Sequence, residues 1–132
     1  MGIPSLGRVL EADKVVLSRR DRCGLAGCCP PDVYVEEGGS IAGLSIPKVV
    51  IANSTSPTWN LLLGNAPLTT LSGGSVNVKL MDEDESILAD DEIGTCTGTI
   101  READVTAGRL TLSRPGTCSG AVQSITFNFS EL

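Results

Sequence analysis

Glycine and proline interrupt this chain so often that long helices have no room. Fifteen Gly and seven Pro are spread through 132 residues, and the longest stretch free of both runs from Ser75 to Ile93. Each break bends or ends a helix or marks a turn. Between the breaks, apolar residues alternate at period two and nowhere sustain the period of a helix. Val76, Val78 and Leu80 alternate with Asn77 and Lys79, and Ile125, Phe127 and Phe129 with Thr126 and Asn128. Both segments read as half-buried strands with one wet face. Residues 49–52 form a short β-branched run, and residues 33–37, 59–63, 97–101 and 109–112 are weaker strand candidates. Residues 8–17 read as the first strand, with a slip in alternation between Ala12 and Val15 that a bulge would explain. Turns fall at Gly38-Gly39-Ser40, Ser72-Gly73-Gly74 and Arg114-Pro115-Gly116, and residues 102–105 suit one helical turn. The expectation is all-β: a single antiparallel β-sandwich of about eight strands, Greek-key in class, occupying residues 1–132 as one domain.

The side-chain inventory removes much chemistry. With no histidine there is no Ser-His-Asp triad, no Cys-His dyad and no His-ligated zinc. A net charge of −6 argues against nucleic acid as a partner. No apolar run approaches the roughly 18 residues of a membrane helix, and residues 1–8 lack the basic start and apolar stretch of a signal peptide.

The charge is concentrated. Of the 16 acidic residues, seven (Asp82, Glu83, Asp84, Glu85, Asp90, Asp91 and Glu92) lie within eleven positions, so the rest, with 9 acids against 10 bases, carries +1. A solvated loop is the plain reading of such a run. Self-repulsion among so many carboxylates favours a bound cation instead. In an extended chain Asp82 and Asp84 point to the same side. Calcium takes six to eight hard oxygens at about 2.3–2.6 Å, which two such Asp and a third brought back by the loop begin to supply. An EF-hand fits at Asp82, Asp84 and Ser86, but Ile87 stands where its glycine belongs and Ile93 where its bidentate Glu belongs.

These motifs resemble those of the C2 domain. The third calcium loop of that family follows a strand with Asp-x-Asp, a variable tip, an Asp, two residues and a Gly. Asp82, Asp84 and Asp91 match it, with Asp90 adjacent and Gly94 closing. Ser56-Pro57-Thr58-Trp59-Asn60 is similar to the family's Asn-Pro-x-Trp-Asn-Glu segment, with Ser56 for the Asn and Leu61 for the Glu, and Pro31-Asp32-Val33-Tyr34-Val35 to its Ser-Asp-Pro-Tyr-Val, with Val33 for the proline. Asp21-Arg22-Cys23-Gly24 resembles the Asp-x-x-Gly of the first loop, although residues 23–31 form an insertion between Asp21 and Asp32. The resemblance implies a C2-like fold, Ca2+ as the cofactor, and Asp21, Asp32, Asp82, Asp84, Asp90 and Asp91 as the candidate metal ligands. It also implies an anionic phospholipid surface or a protein as the partner. Ile87 and Leu88 are apolar residues within a charged run. They either pack back onto the domain or enter a bilayer once calcium neutralises their flanks.

Cys96 and Cys118 share the setting Gly-Thr-Cys and are expected to pair, with Cys23 joined to Cys28 or Cys29. Disulfides favour an exported protein, such as a divergent bacterial member of the family; a reduced cytoplasmic protein is the alternative. Asn53-Ser54-Thr55 and Asn128-Phe129-Ser130 match glycosylation sequons. Trp59 is expected to anchor the core and Tyr34 to be structural. Two functional readings follow. One is a non-catalytic calcium-binding module; the other is a metal-free, disulfide-stapled β-sandwich serving as a structural or interaction domain. An enzyme ranks last, since no nucleophile has a visible base.

Overall fold

A computed structural model describes residues 31–52, 54, 56–59, 61–83 and 90–130, and the backbone alone of residues 7–17 and 131. In chain order the elements are β1 (Gly7–Leu17), β2 (Val33–Val35), β3 (Ser40–Ile41), β4 (Leu44–Ser45), β5 (Gly64–Asn65), α1 (Leu68–Leu71), β6 (Ser75–Asp82), β7 (Asp91–Thr99), α2 (Glu102–Ala107), β8 (Arg109–Ser113) and β9 (Val122–Glu131). One sheet has the order β5-β1-β9-β8. The other has β2, β3 and β4 on one side of β6, and β7 on the other side. All pairings are antiparallel. The first strand lies beside the last, which is crossed connectivity of the Greek-key class and not a meander. The all-β sandwich expected from the alternation is therefore the observed architecture.

The period-two pattern decides which face is buried. Val76, Val78 and Leu80 of β6, Leu110 and Leu112 of β8, and Ile125, Phe127 and Phe129 of β9 all enter the core. Each such side chain contributes about 1.5–3 kcal/mol on burial. In β1–β9 the register shifts three times, once between Ala12 and Lys14, where the sequence pattern slips. Gly38 stands at φ +98° in the first expected turn, a conformation that disfavours side chains. Helix α2 covers the expected turn at residues 102–105.

Three expectations are corrected. Residues 49–52 are not a strand; only Ile51 bridges to Val33. The described residues 59 and 61–63 carry no strand either. Trp59 packs against the core as expected, and its indole N–H donates to the Val49 carbonyl at 2.7 Å, which ties the two irregular segments to each other instead of to a sheet. The strand expected at residues 97–101 begins much earlier, at Asp91. Its first two residues are acidic, and their charge hid the fact that backbone pairing to β6 continues through them.

Cys96 and Cys118 form a disulfide, with Cα atoms 4.1 Å apart. It joins β7 to the β8–β9 connection. There Thr97 N–H donates to Thr117 O, Ser119 N–H to Thr95 O and Ala121 N–H to Ile93 O, all within 2.8–2.9 Å. Gly94 permits this approach: a Cβ there would stand 2.2 Å from the Ser119 carbonyl oxygen. The bond closes a loop with a sequence separation of 22, worth roughly 3 kcal/mol in the chain-entropy model. The Cys96→Ala, Cys118→Ala protein should lose about that much stability in denaturant unfolding. Peptide mapping without reduction should recover the two cysteines joined; separate peptides would remove the bond from the account.

Candidate functional site

The acidic residues gather where β2, β6 and β7 end together. Asp32 immediately precedes β2, Asp82 closes β6 and Asp91 opens β7. In the register, Val33 faces Asp82 and Asp82 faces Asp91. The Asp32 backbone N–H donates to Asp82 Oδ1 at 3.0 Å, and the Glu83 N–H donates to the Asp32 carbonyl at 2.8 Å. The ladder therefore extends one residue past β2 and fixes Asp32 against Asp82. Asp82 shares strand parity with Val76, Val78 and Leu80, so it stands at the rim of the inter-sheet core. Asp91 is exposed directly across from it. Like charges in directly opposed positions of an antiparallel pair destabilise it.

The other face of the same three strands holds counter-charges. Lys48 Nζ lies 3.1 Å from Glu83 Oε2 and 4.4 Å from the centroid of the Tyr34 ring. The Tyr34 hydroxyl donates to Asp90 Oδ2. Lys79 Nζ reaches Glu36 at 3.7 Å and Glu92 at 3.6 Å. Lysine and tyrosine side chains thus meet Glu83, Asp90 and Glu92 within the protein. Part of the acidic run is therefore met by counter-charges or a hydrogen-bond donor inside the protein, and Asp82 and Asp91 are the pair set directly opposite each other.

Adjacent residues of an extended chain point to opposite faces, and this separates Asp90 from Asp91. Tyr34 pairs with Met81 and so lies on the face opposite Asp82. Asp90 is drawn to that face, while Asp91 is aligned with Asp82. Asp21, Asp84, Ile87, Leu88, Cys23, Cys28, Cys29 and Asn53 lie outside the described residues. Among the described residues, no three acidic or thiol groups form a ready metal cage. Sequence reasoning missed Lys48, Lys79 and Glu36. Lys48 lies about thirty-five positions from the acid it meets, with no spacing to announce it.

Comparison with solved structures identifies the architecture. One, a calcium-bound structure of two C2 domains of extended synaptotagmin 2, matches with a TM-score of 0.55 at 18% identity, over 100% of this chain and 48% of that one. This chain therefore spans about half of that structure. A C2 domain of a plant extended synaptotagmin 1 matches with a TM-score of 0.52 at 12% identity, over 99% of this chain and 98% of that one. No protein-family model matches the chain, and no curated protein does. The fold is C2-like; at these identities the likeness is one of fold.

Tyr34 gives the site an optical reporter, since it is the single tyrosine of the chain. Its phenol is pushed up from 10.0 to about 12, first by the hydrogen bond to Asp90, then by burial and by the charges of Asp90, Glu36 and Glu83. The protonated form is favoured in the folded state. The unfolded phenol binds fewer protons between about pH 10 and 12, so this contribution is complete below pH 10 and lost as pH rises toward 12. Absorbance titration of the phenolate should place the midpoint near 12, and Asp90→Ala should bring it down toward 10. A wild-type midpoint at 10 would dissolve the Tyr34–Asp90 bond in solution.

Proposed function

We propose that this C2-like sandwich is a non-catalytic calcium-binding module that docks to an anionic membrane surface, with an acidic protein surface as the alternative partner. The observation that carries the reading is the opposition of Asp82 and Asp91 across the β6–β7 ladder, with Asp32 fixed beside Asp82. The fold alone does not require two carboxylates to face each other there. A divalent cation turns that repulsion into attraction. The donors suit it: carboxylate and carbonyl oxygens without imidazole select calcium or magnesium over zinc or copper.

Asp32, Asp82 and Asp91 would hold the ion, joined by Asp84, which follows Asp82 by two residues, and by Asp21. The ion would supply positive charge that bridges the protein to phosphate or carboxylate oxygens. Ile87 and Leu88, between Asp84 and Asp90 in the sequence, would add apolar contact with lipid. The calcium-bound description of a structure with this fold supports the choice of ion.

A second reading has its own observation. Lys48, Tyr34 and Lys79 already engage three acids of the run, and the Cys96–Cys118 bond braces β7 without metal. On that basis the protein is a metal-free interaction domain. Calcium separates the two readings. At about 100 times its Kd, linkage adds roughly 2.7 kcal/mol, which raises the melting temperature by several degrees. Asp82→Asn with Asp91→Asn should abolish the rise and, by removing repulsion, stabilise the calcium-free protein. Sedimentation with phosphatidylserine vesicles should require calcium and fail for Ile87→Ser, Leu88→Ser. A wild-type melting curve unmoved by millimolar calcium hands the site to the second reading.

A further inference from the structure

The β6–β7 ladder carries an irregularity just before its acidic end. Leu80 pairs with Gly94 but Met81 pairs with Glu92, so Ile93 is the extra residue of a bulge. Without that bulge, unbroken register would set Glu92 and not Asp91 against Asp82. The segment that follows contains two adjacent aspartates, and nothing in their chemistry distinguishes Asp90 from Asp91. A one-residue slip exchanges the faces of every side chain in a strand. Some contact outside the ladder must select the register.

The Tyr34–Asp90 hydrogen bond is placed to do this. Tyr34 is on β2 and Asp90 immediately precedes β7, while β6 runs between them. The bond therefore spans the central strand and joins residues 56 apart in sequence. Tyr34 is itself fixed. It is 7% exposed, pairs with Met81, and carries Lys48 over its ring while Lys48 engages Glu83. A hydroxyl on a locked ring makes a directional donor, and it donates to one aspartate of the pair.

We propose that Tyr34 is a positioning residue: its hydroxyl clasps Asp90 across β6, holds the Ile93 bulge, and thereby sets Asp91 opposite Asp82. The inference rests on the calcium reading for its consequence, since the clasp would preorganise the pair that receives the ion. Its structural half stands apart from calcium and is tested separately.

Tyr34→Phe keeps the ring, its packing and the Lys48 contact, and removes only the hydroxyl. In the calcium-free protein, amide exchange of Asp91, Glu92 and Ile93 should accelerate about tenfold, while that of Val76 to Lys79 stays as in wild type. Calorimetric titration should show calcium affinity about tenfold weaker, the scale of one hydrogen bond to a charged group. Asp90→Ala should weaken affinity equally, and the double variant no further. Asp90→Asn, which still accepts from the hydroxyl, should recover most of the affinity. If Asp90→Asn loses as much as Asp90→Ala while Tyr34→Phe loses nothing, Asp90 is a ligand and the clasp is overturned. If wild type takes up no calcium, the functional reading fails and amide exchange alone decides. Faster exchange in Tyr34→Phe then upholds the clasp, and unchanged exchange overturns it.

Discussion

Everything in the second sheet is referred to β6. Its inward parity puts Val76, Val78 and Leu80 into the core, and each is nearly or fully buried. The same parity carries Asp82 to the rim. A strand anchored by three buried aliphatic residues cannot slip by one position without exposing all of them. Asp82 is therefore placed by hydrophobic burial some distance from where it stands. The partners follow from it: β2 brings Asp32 through Val33–Asp82, and β7 brings Asp91 through Asp82–Asp91.

The two faces at that end treat charge differently. On the outer face, Lys48 and Lys79 meet Glu83, Glu36 and Glu92, and Tyr34 meets Asp90. These ion pairs are partly exposed, and pairs of that kind contribute little to stability, about 0–1 kcal/mol each. Their effect is distributive. They hold Glu83 and Glu92 on the outer side, as the Tyr34 hydroxyl holds Asp90, while Asp82, Asp91 and Asp32 stand together at the rim. The direction of the Tyr34 shift agrees with this division, because a phenol surrounded by Asp90, Glu36 and Glu83 resists ionisation.

The fold was largely legible because alternation, turn residues and a β-bulge each leave a local signature. Residues 76–80 and 125–129 show period two, and the slip near Ala12 marked a true register shift. The start of β7 was not legible. Asp91 and Glu92 look like loop, and only their pairing with β6 makes them strand, a long-range fact with no local pattern. Trp59 was recognised as a core residue but assigned to a strand, since a bulky apolar residue has the same composition signal in either setting. In the site, Asp32, Asp82, Asp90 and Asp91 were visible as residues. The sorting of Asp90 from Asp91 was not, because it depends on which face Tyr34 occupies. The equal settings of Cys96 and Cys118 were a real signal: both stand in a Gly-Thr-Cys segment and meet across one narrow antiparallel bridge.

That bridge also explains how a repulsive pair is kept in place. β7 is held on one edge by β6 and on the other by residues 117–121, through backbone bonds at Ile93, Thr95 and Thr97. The disulfide closes this second edge, and Gly94 lets the backbone of Ser119 come close enough to form it. Asp91 lies just before this doubly held stretch. Peeling β7 away beyond its first two residues would break both edges, so the rest of the strand keeps Asp91 close to Asp82. The strain of opposed carboxylates stays in the folded state, where a cation in the proposed role would find it already gathered. Binding then requires little rearrangement, and the free energy of bringing like charges together has been met by the core and the disulfide during folding.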